Sequence, residues 1–337
     1  GPFLIAARAL LEGRPAGPPM PRDGILLGAL FASLVTLSLR VYAQAAETTV
    51  KHLRTAGGTH EVDLLVERAD GRVVMAGAVG TDAFGDALLA SLAREGVETD
   101  FVARKDGTSG MAFITVSESG QNCIVLSEGA NGLLAPDDIR AALARERIKL
   151  VLLQNEIPWE TNESAIRKAK ENGMRVWFNP APALHIPESV LPLIDTLVLN
   201  ESEAEHLPGR RVLGEADAER AAKDLLAGGT GEVIVTLGAQ GSLYMNAGGS
   251  ALFTPSFPVT AVDTTAAGDT FIGYCAAGVC AGMPMEKALK FASAASAISV
   301  TRAGAQPSIP HRAEVERFLA ERERRNGRET NCGEVER

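Results

Sequence analysis

Aromatic residues are scarce in this chain, because Phe, Trp and Tyr together make up only 5% of its 337 residues. This composition disfavours an aromatic-rich β-sandwich. Alanine is plentiful instead, and so is glycine, with 34 residues, which favours helices packed closely on a parallel sheet. Hydrophobic residues account for 46% of the chain and charged residues for 22%, enough core for one large α/β domain or two modest ones.

Cysteine is nearly absent as well. The chain has 4 cysteines, and none of them follows a CxxC spacing. A disulfide framework or a cysteine-based zinc site is therefore not expected. Cys275 and Cys280 fall in an apolar stretch, which predicts small core residues in a reducing compartment. We expect a cytoplasmic location, with an organelle as the second choice.

Long basic runs and long apolar runs are also missing. The formal net charge is −9 and no Lys/Arg run is extended, so we expect no nucleic-acid partner. The uncharged run Ile25–Leu39 is shorter than the roughly 20 residues of a transmembrane helix, so no membrane partner is expected. Ala43–Ala45 resembles a signal-peptidase site, which keeps a signal or anchor as the alternative to the favoured buried strand, Ile25–Gly28.

Strands and helices alternate clearly after Arg72. Apolar runs predict strands, and amphipathic or polar segments between them predict helices: strands at 73–80, 148–154, 175–179, 196–200 and 232–238, helices at 82–95 and 215–227, and a hairpin at 111–127. This alternation predicts an α/β fold with a doubly wound sheet, whose ligands bind beyond the carboxyl ends of the strands. Polar residues follow these ends, namely Asn155, Glu156, Asn179, Asn200 and Glu201.

The domain boundaries follow from composition. We expect a flexible extension at residues 1–22, one domain at residues 23–312 and a charged tail at residues 313–337. The tail is interpreted as a helix that frays. No internal repeat divides the central part of the chain.

The stretch from Val262 to Phe271 indicates chemistry. Small residues lie between Asp263 and Asp269, and the apolar segment that follows predicts a buried helix. A small-residue turn that opens a helix leaves backbone N–H groups unpaired, which makes an anion site. Asp269 would repel an anion, so it is better placed to take a proton from a group that attacks the anion. The pattern indicates phosphoryl transfer with Asp269 as base; the alternative is an ordinary buried helix capped by aspartate.

Five motifs, in this order, resemble the ribokinase-like (PfkB) carbohydrate kinases: Asn179–Ala183, Asn200–Glu205, Thr236–Gly241, Asp263–Asp269 and Gly304–Ser308. The resemblance extends from about Arg72 to Pro310. It implies an αβα sandwich with a small β-sheet lid built from parts of residues 35–58 and 108–128. It also implies ATP-dependent phosphorylation of D-ribose to D-ribose 5-phosphate, and a homodimer that pairs through the lids.

The resemblance implies a role for each matching residue. Asp269 would be the base, with an anion hole formed by Ala266, Ala267 and Gly268. The nucleotide would bind at Asn200, Thr236, Gly238, Gly241, Gly268 and Ser293. Glu203 would hold waters of the Mg²⁺ that accompanies ATP. A monovalent cation, typically K⁺, would bind mostly through backbone oxygens at Asp263, Thr265, Ser299, Arg302, Gly304 and Ser308. Tyr274 replaces a small residue of the family and is expected to crowd the helix packing.

The sugar side departs from the family pattern. Phe31 and Ser33 occupy the places of an Asn-x-Asp pair, and Thr59–Val62 replaces most of a Gly-Gly-Lys-Gly-Ala-Asn loop. The residues left for the substrate are Glu156, Asp269 and Gly58. His60 and Glu61 could replace the lost groups, although a solvated loop is the favoured interpretation. Three explanations stay open: an abnormal N-terminal sequence in a ribose kinase, a kinase for another sugar or nucleoside, and a non-catalytic nucleotide-binding relative.

Overall fold

A computed structural model describes residues 64–68, 72–116, 122–207, 209 and 211–332. The strands are β1 (Leu64–Arg68), β2 (Val73–Gly80), β3 (Glu98–Lys105), β4 (Met111–Val116), β5 (Asn122–Ser127), β6 (Ile148–Gln154), β7 (Arg175–Asn179), β8 (Thr196–Leu199), β9 (Glu232–Thr236), β10 (Gly241–Asn246) and β11 (Ala251–Pro255). The helices are α1 (Ala83–Arg94), α2 (Pro136–Leu143), α3 (Trp159–Glu171), α4 (Glu201–His206), α5 (Glu215–Ala227), α6 (Ala267–Cys280), α7 (Met285–Ser299) and α8 (Arg312–Cys332).

One large sheet has the order β11-β10-β9-β8-β7-β6-β1-β2-β3. Strands β6, β7, β8 and β9 are parallel to one another, and β2 is parallel to β3. This confirms the doubly wound α/β prediction, with two differences. One difference is β1. The other is the hairpin of β10 and β11, whose strands are antiparallel because only a short turn joins them. Ser250 N donates to Asn246 Oδ1 at 3.0 Å across this turn.

The sheet is covered by helices on both faces. In β7, Val176 and Phe178 pack in a core with α2, α3 and α5, whereas Trp177 packs on the opposite side with α6, α7 and α8. All three side chains are fully buried. Because successive side chains of a strand point to opposite faces, a sheet buried on both faces produces continuous apolar runs rather than alternation. This is why these strands could be predicted from the sequence.

Strand β1 is not among the strands predicted from the sequence, because its segment is charged and poorly patterned. Leu64–Arg68 forms a strand between β2 and β6 and is antiparallel to both. Its apolar run is only three residues long, too short for periodicity to identify. The strand nevertheless pairs the inner edges of β2 and β6, whose backbone polar groups would otherwise be unpaired in the middle of the sheet. The favoured strand at Ile25–Gly28 lies outside the described residues.

A separate sheet of two strands lies within residues 108–128, one of the two segments expected to form the lid. β4 and β5 are antiparallel, with Met111 opposite Ser127 and Val116 opposite Asn122, so the predicted hairpin is confirmed. Its base is attached to the main domain through Ser109, whose backbone N donates to Asp82 Oδ2 at 2.9 Å and whose Oγ donates to Asp82 Oδ1 at 2.7 Å. The other expected part of the lid, residues 35–58, lies outside the described residues, as does the predicted extension at residues 1–22.

The segment expected as a charged tail begins as a packed helix. In α8, Val315 is fully buried and the Phe318 ring contacts Phe257 edge-to-face, with ring centroids 5.3 Å apart. The segment has many charged residues and few apolar ones, so its packing could not be recognised from the sequence. Among the described residues, no helix combines the length and the apolar character that crossing a membrane would require.

Candidate active site

Four parallel strands end at the same edge of the sheet, and polar residues lie just beyond them. β6 is followed by Asn155 and Glu156, β8 by Asn200, and β9 by the turn at Gly238. Asn155 links β6 to the segment after β7, because its N–H donates to Ala181 O at 2.9 Å. This edge is where an open α/β sheet binds its ligands.

The turn before α6 has the backbone geometry of an anion site. Ala266 adopts a left-handed conformation, with φ 67° and ψ 10°, which costs a non-glycine residue about 1–2 kcal/mol. The first helical bond runs from Thr270 N to Ala266 O at 2.9 Å, so the N–H groups of Gly268 and Asp269 precede it. Ala266 makes no side-chain cap bond. A Cβ built on Gly268 would meet none of the described atoms within 4 Å, so the space over the turn is open.

Asp269 lies in the first turn of α6 and is only 2% exposed. The helix cap is Ala266, so the alternative of an aspartate-capped helix is wrong. The same turn is attached to α7 through Ser296, whose Oγ donates to Ala267 O at 3.0 Å. The structure therefore places a buried carboxylate in the helix turn that Ala266 and Gly268 begin, and both α6 and α7 support this turn.

Asp263 connects the turn to a second loop. Its Oδ1 accepts from Thr265 N at 2.9 Å and its Oδ2 accepts from Gly304 N at 2.8 Å. The N–H groups of Val262 and Asp263 also donate to Val300 O, at 2.7 and 3.2 Å. Burial alone would raise the pKa of Asp263, but the hydrogen bonds from Thr265 and Gly304 outweigh it and lower the pKa below its ordinary value.

Asp263, Thr265 and Gly304, three of the expected cation residues, lie at this contact between two loops. Ser299 and Ser308 are fully buried, and Ser308 Oγ donates to Ala305 O at 2.7 Å. The guanidinium of Arg302 donates to Glu314 Oε1 at 2.7 Å, so the carboxylate of Glu314 neutralises its positive charge. The group of Arg302 that could bind a cation is therefore its backbone oxygen. A cluster of backbone, hydroxyl and carboxylate oxygens is the ligand type of a hard cation, so these residues fit a monovalent ion.

Glu203 is held in a buried amide network beyond β7 and β8. Its Oε2 accepts from Asn200 N at 3.0 Å and from Asn179 Nδ2 at 3.1 Å, and its Oε1 accepts from Asn200 Nδ2 at 2.8 Å. Burial raises the pKa of Glu203, and the hydrogen bonds from Asn200 and Asn179 offset this only in part. Because three N–H donors already bond the carboxylate, it fits a contact with Mg²⁺ through water better than direct ligation.

The remaining nucleotide candidates have different environments. Thr236 ends β9, and its Oγ1 donates to Leu199 O at 3.2 Å. Gly238 has φ 49° and is exposed on the turn that follows. Gly241 has φ 131°, and a Cβ there would lie 2.1 Å from Thr254 O, so the close approach of β11 alone requires glycine. Ser293 is buried on α7.

The sugar side is only partly visible. Glu156 lies at the end of β6 and is 9% exposed. Gly58 lies outside the described residues, and so do Phe31, Ser33 and Thr59–Val62. The structure therefore joins Asp263 to Thr265 and Gly304, and Asn200 to Glu203, through hydrogen bonds, and it leaves Glu156 at the edge where the sugar is expected.

Some residues of this region were not among the sequence candidates. Gln154 Nε2 donates to Asn179 Oδ1 at 2.8 Å, which orients the Asn179 amide towards Glu203. Ser296 supports the anion turn, and it is one of three serines in an alanine-rich helix segment. The sequence signal in each case is a polar residue within an apolar element. That signal does not reveal the partner, which is 24 or more residues away.

The sequence profile of the pfkB family carbohydrate kinases matches residues 36–312. The ribokinase of Schizosaccharomyces pombe is 42% identical over 254 residues, which cover 74% of this chain and 80% of that protein. A deoxyribokinase of Salmonella typhimurium is 37% identical over 256 residues, covering 75% of this chain and 83% of that protein. The structure of Arabidopsis thaliana ribokinase complexed with ribose and ATP is 28% identical, with a TM-score of 0.68, and the match covers 83% of this chain and 86% of that one.

The chain belongs to the pfkB family of carbohydrate kinases. It is a sugar kinase, which agrees with the phosphoryl transfer that Asp269 and the turn before α6 indicate.

Proposed function

We propose that this protein phosphorylates D-ribose at its 5-hydroxyl with ATP, giving D-ribose 5-phosphate and ADP. The observation that carries the proposal is the position of buried Asp269 in the first turn of α6, next to Gly268, over which the space is open. Similarity to ribokinases over most of the chain supports ribose as the sugar.

In the proposed step, the ribose 5-hydroxyl gives its proton to a carboxylate oxygen of Asp269. The hydroxyl oxygen forms a bond to the γ-phosphorus of ATP, while the bond from that phosphorus to the β–γ bridging oxygen breaks. ADP leaves with the electron pair of the broken bond. The N–H groups of the anion turn stabilise the negative charge on the transferred phosphoryl group, and closure of the lid excludes water that would otherwise hydrolyse ATP.

Two kinds of cation fit this site. Glu203 would hold Mg²⁺ through water, and the ion supplies positive charge to the phosphate oxygens of ATP. Asp263, Ser308 and the backbone oxygens around Gly304 would hold a monovalent ion such as K⁺, which supplies positive charge beside the anion turn. Asp263 bonds both loops at once, so this chain holds the turn and the cation residues in one arrangement.

A second candidate substrate is another pentose, in particular 2-deoxyribose. Similarity to a deoxyribokinase is nearly as high as similarity to the ribokinase, so identity alone does not separate the two sugars. The residues that would distinguish a 2-hydroxyl belong to the altered sugar side. Each hydrogen bond to the sugar that is lost with a charged partner costs about 1.5–3 kcal/mol of binding free energy. The altered sugar side could therefore bind sugar too weakly for turnover, and a non-catalytic nucleotide-binding relative is the remaining alternative.

Turnover on a panel of sugars tests the proposal. The purified protein is given ATP, Mg²⁺ and K⁺ with ribose, 2-deoxyribose, fructose or adenosine, and ADP release is followed. We expect the highest kcat/KM on ribose. Asp269→Asn is expected to lower kcat by about 10²–10⁴-fold, the usual contribution of a general base, while ATP still binds.

Asp138→Asn is the matched control. Asp138 is a partly buried carboxylate bonded to Lys105 Nζ at 2.7 Å and to Ala135 N at 2.7 Å, away from the anion turn. Its loss should lower the melting temperature and leave kcat unchanged. No turnover on any sugar with ATP binding intact would support the non-catalytic alternative, and preference for 2-deoxyribose would correct the substrate.

We also propose a homodimer that pairs through the lids and a cytoplasmic location. The described lid sheet has only two strands, so β4 and β5 each have an edge that pairs with no other described strand. The location is supported by cysteine usage, because Cys275 and Cys280 form no disulfide with each other or with another described residue, as in proteins of reducing compartments.

A further inference from the structure

Tyr274 connects α6 to the end of the loop that carries the cation candidates. Its side chain is fully buried, its hydroxyl donates to Pro310 O at 2.7 Å, and its ring contacts Phe291 of α7 with ring centroids 5.3 Å apart. The sequence predicted that this large residue would crowd the helix packing. The structure instead gives the ring an edge-to-face partner and the hydroxyl a buried acceptor.

The segment from Val300 to Pro310, here called the 300–310 loop, is held at both of its ends. At its first end, Val300 O accepts from Val262 N at 2.7 Å, and Gly304 N donates to Asp263. At its last end, Pro310 O accepts from Tyr274. The cation candidates Arg302, Gly304 and Ser308 lie between Val300 and Pro310, so the bonds at the two ends of the loop restrict the positions of their oxygen atoms.

The two attachments also join the loop to the anion turn. Asp263 bonds Thr265, one residue before the turn, and Tyr274 lies on α6, the helix that the turn opens. A buried hydrogen bond from a tyrosine hydroxyl fixes distance and direction at once, whereas the ring contact alone fixes only packing. Loss of the hydroxyl would therefore loosen the far end of the loop without removing any cation ligand.

We propose that Tyr274 is a positioning residue that sets the affinity of this protein for its monovalent cation. It does so by holding the 300–310 loop at a fixed distance from α6. This inference rests on the proposed function, in which a monovalent cation lies beside the anion turn. It concerns one residue of this chain, at a position where other family members were expected to have a small side chain.

Tyr274→Phe tests the inference, because it removes the hydroxyl and keeps the ring. Tyr244→Phe is the matched control: Tyr244 is also buried, and its hydroxyl donates to Glu232 Oε1 at 3.1 Å on β9, away from the 300–310 loop. Two readouts are measured over a K⁺ titration at constant ionic strength with choline chloride. One is the rise in melting temperature caused by K⁺, and the other is the half-saturating K⁺ concentration for turnover.

We expect Tyr274→Phe to raise the half-saturating K⁺ concentration by about three- to tenfold, the effect of losing one buried hydrogen bond, and to reduce the K⁺-dependent rise in melting temperature. The KM for the sugar should not change. Tyr244→Phe should lower the melting temperature at every K⁺ concentration and leave the half-saturating concentration at the wild-type value. Phe291→Leu, which keeps the hydroxyl, serves as a second variant and should also retain K⁺ affinity.

Three results would overturn the inference, and they are distinguishable. If the wild type responds to K⁺ and Tyr274→Phe responds at the same concentration, Tyr274 is a packing residue only. If the wild type responds to K⁺ in neither readout, the cation site of the proposed function is wrong and the inference is wrong with it. A tenfold loss of K⁺ affinity in Phe291→Leu would assign the effect to ring packing rather than to the hydroxyl.

Discussion

Asp263 and Asp269 are six positions apart and have different surroundings. Asp269 is almost fully buried in the first turn of α6, where a proton acceptor is needed. Asp263 is partly exposed and accepts N–H bonds from Thr265 and Gly304. Hydrogen bonds to a carboxylate favour its charged form, so Asp263 is suited to hold two loops and not to accept a proton.

The lowered pKa of Asp263 gives a prediction for stability against pH. A carboxyl whose pKa is lower in the folded state stabilises the fold above its unfolded pKa of about 3.9, and this contribution is lost as the pH falls towards the folded pKa. Asp263→Asn should therefore lower the free energy of unfolding near pH 7 by about 1–3 kcal/mol and flatten its decrease below pH 5. Urea denaturation at several pH values measures both effects.

The matched comparison for this prediction is Asp86→Asn on α1. Asp86 is exposed and forms a surface ion pair with Arg104, with an N–O distance of 2.6 Å. Such pairs contribute little, so the change in stability should stay within about 1 kcal/mol. If the free energy of unfolding decreases equally steeply below pH 5 in Asp263→Asn and in the wild type, the lowered pKa of Asp263 would be contradicted.

At the scale of secondary-structure elements, the base of the lid is a closely packed junction. A Cβ on Gly80 would lie 2.4 Å from Ser109 N, and a Cβ on Gly129 would lie 2.6 Å from Ser109 O. Ser109 is fully buried, and its Oγ both accepts from Gly80 N at 2.9 Å and donates to Asp82. The end of β2, the start of α1 and the start of β4 therefore meet at one serine.

Ser109→Ala should loosen this junction. Loss of two buried hydrogen bonds, one of them to a carboxylate, should lower the free energy of unfolding by about 1–3 kcal/mol. Because the junction carries the lid, the KM for ribose should rise several-fold, while the KM for ATP changes less. Ser250→Ala, in the exposed turn after β10, is the control and should change neither KM nor stability. Equal increases in both KM values would argue against a role limited to the lid.

At the scale of the whole molecule, the domain with the large sheet and the lid differ in the stability that each would have by itself. The nine-stranded sheet is covered on both faces by buried cores, as the fully buried Trp177 and Phe178 on opposite faces show. The described lid is a sheet of two strands, which is marginally stable in water by itself. It needs further strands, from residues 35–58 or from a second copy of the chain.

This difference leads to a prediction of assembly. If the lids pair, light scattering coupled to size-exclusion chromatography should give twice the chain mass of 35.4 kDa. Hydrogen exchange of the β4 and β5 backbone should then slow as protein concentration rises, because pairing protects edge strands. The backbone of β7, in the middle of the large sheet, should show no such concentration dependence. A monomer at all concentrations would show that the lid is completed within one chain.

The sequence by itself determined the features that depend on residues close to one another along the chain. The doubly wound α/β architecture followed from the alternation of apolar strands with helical segments, and the anion turn and the Asn200–Glu203 bonds lie within short continuous segments. The sequence did not predict that β1 would lie between β2 and β6, because its three apolar residues carry no periodic signal.

Only the tertiary structure decided which distant residues support the site. Asp82 and Ser109 are 27 residues apart, Ala267 and Ser296 are 29 apart, and Tyr274 and Pro310 are 36 apart. Such pairs form because helices and strands pack in one arrangement, which brings a buried donor to the acceptor that satisfies it. The same packing made Tyr274 a connection between α6 and the 300–310 loop, where the sequence had predicted only crowding.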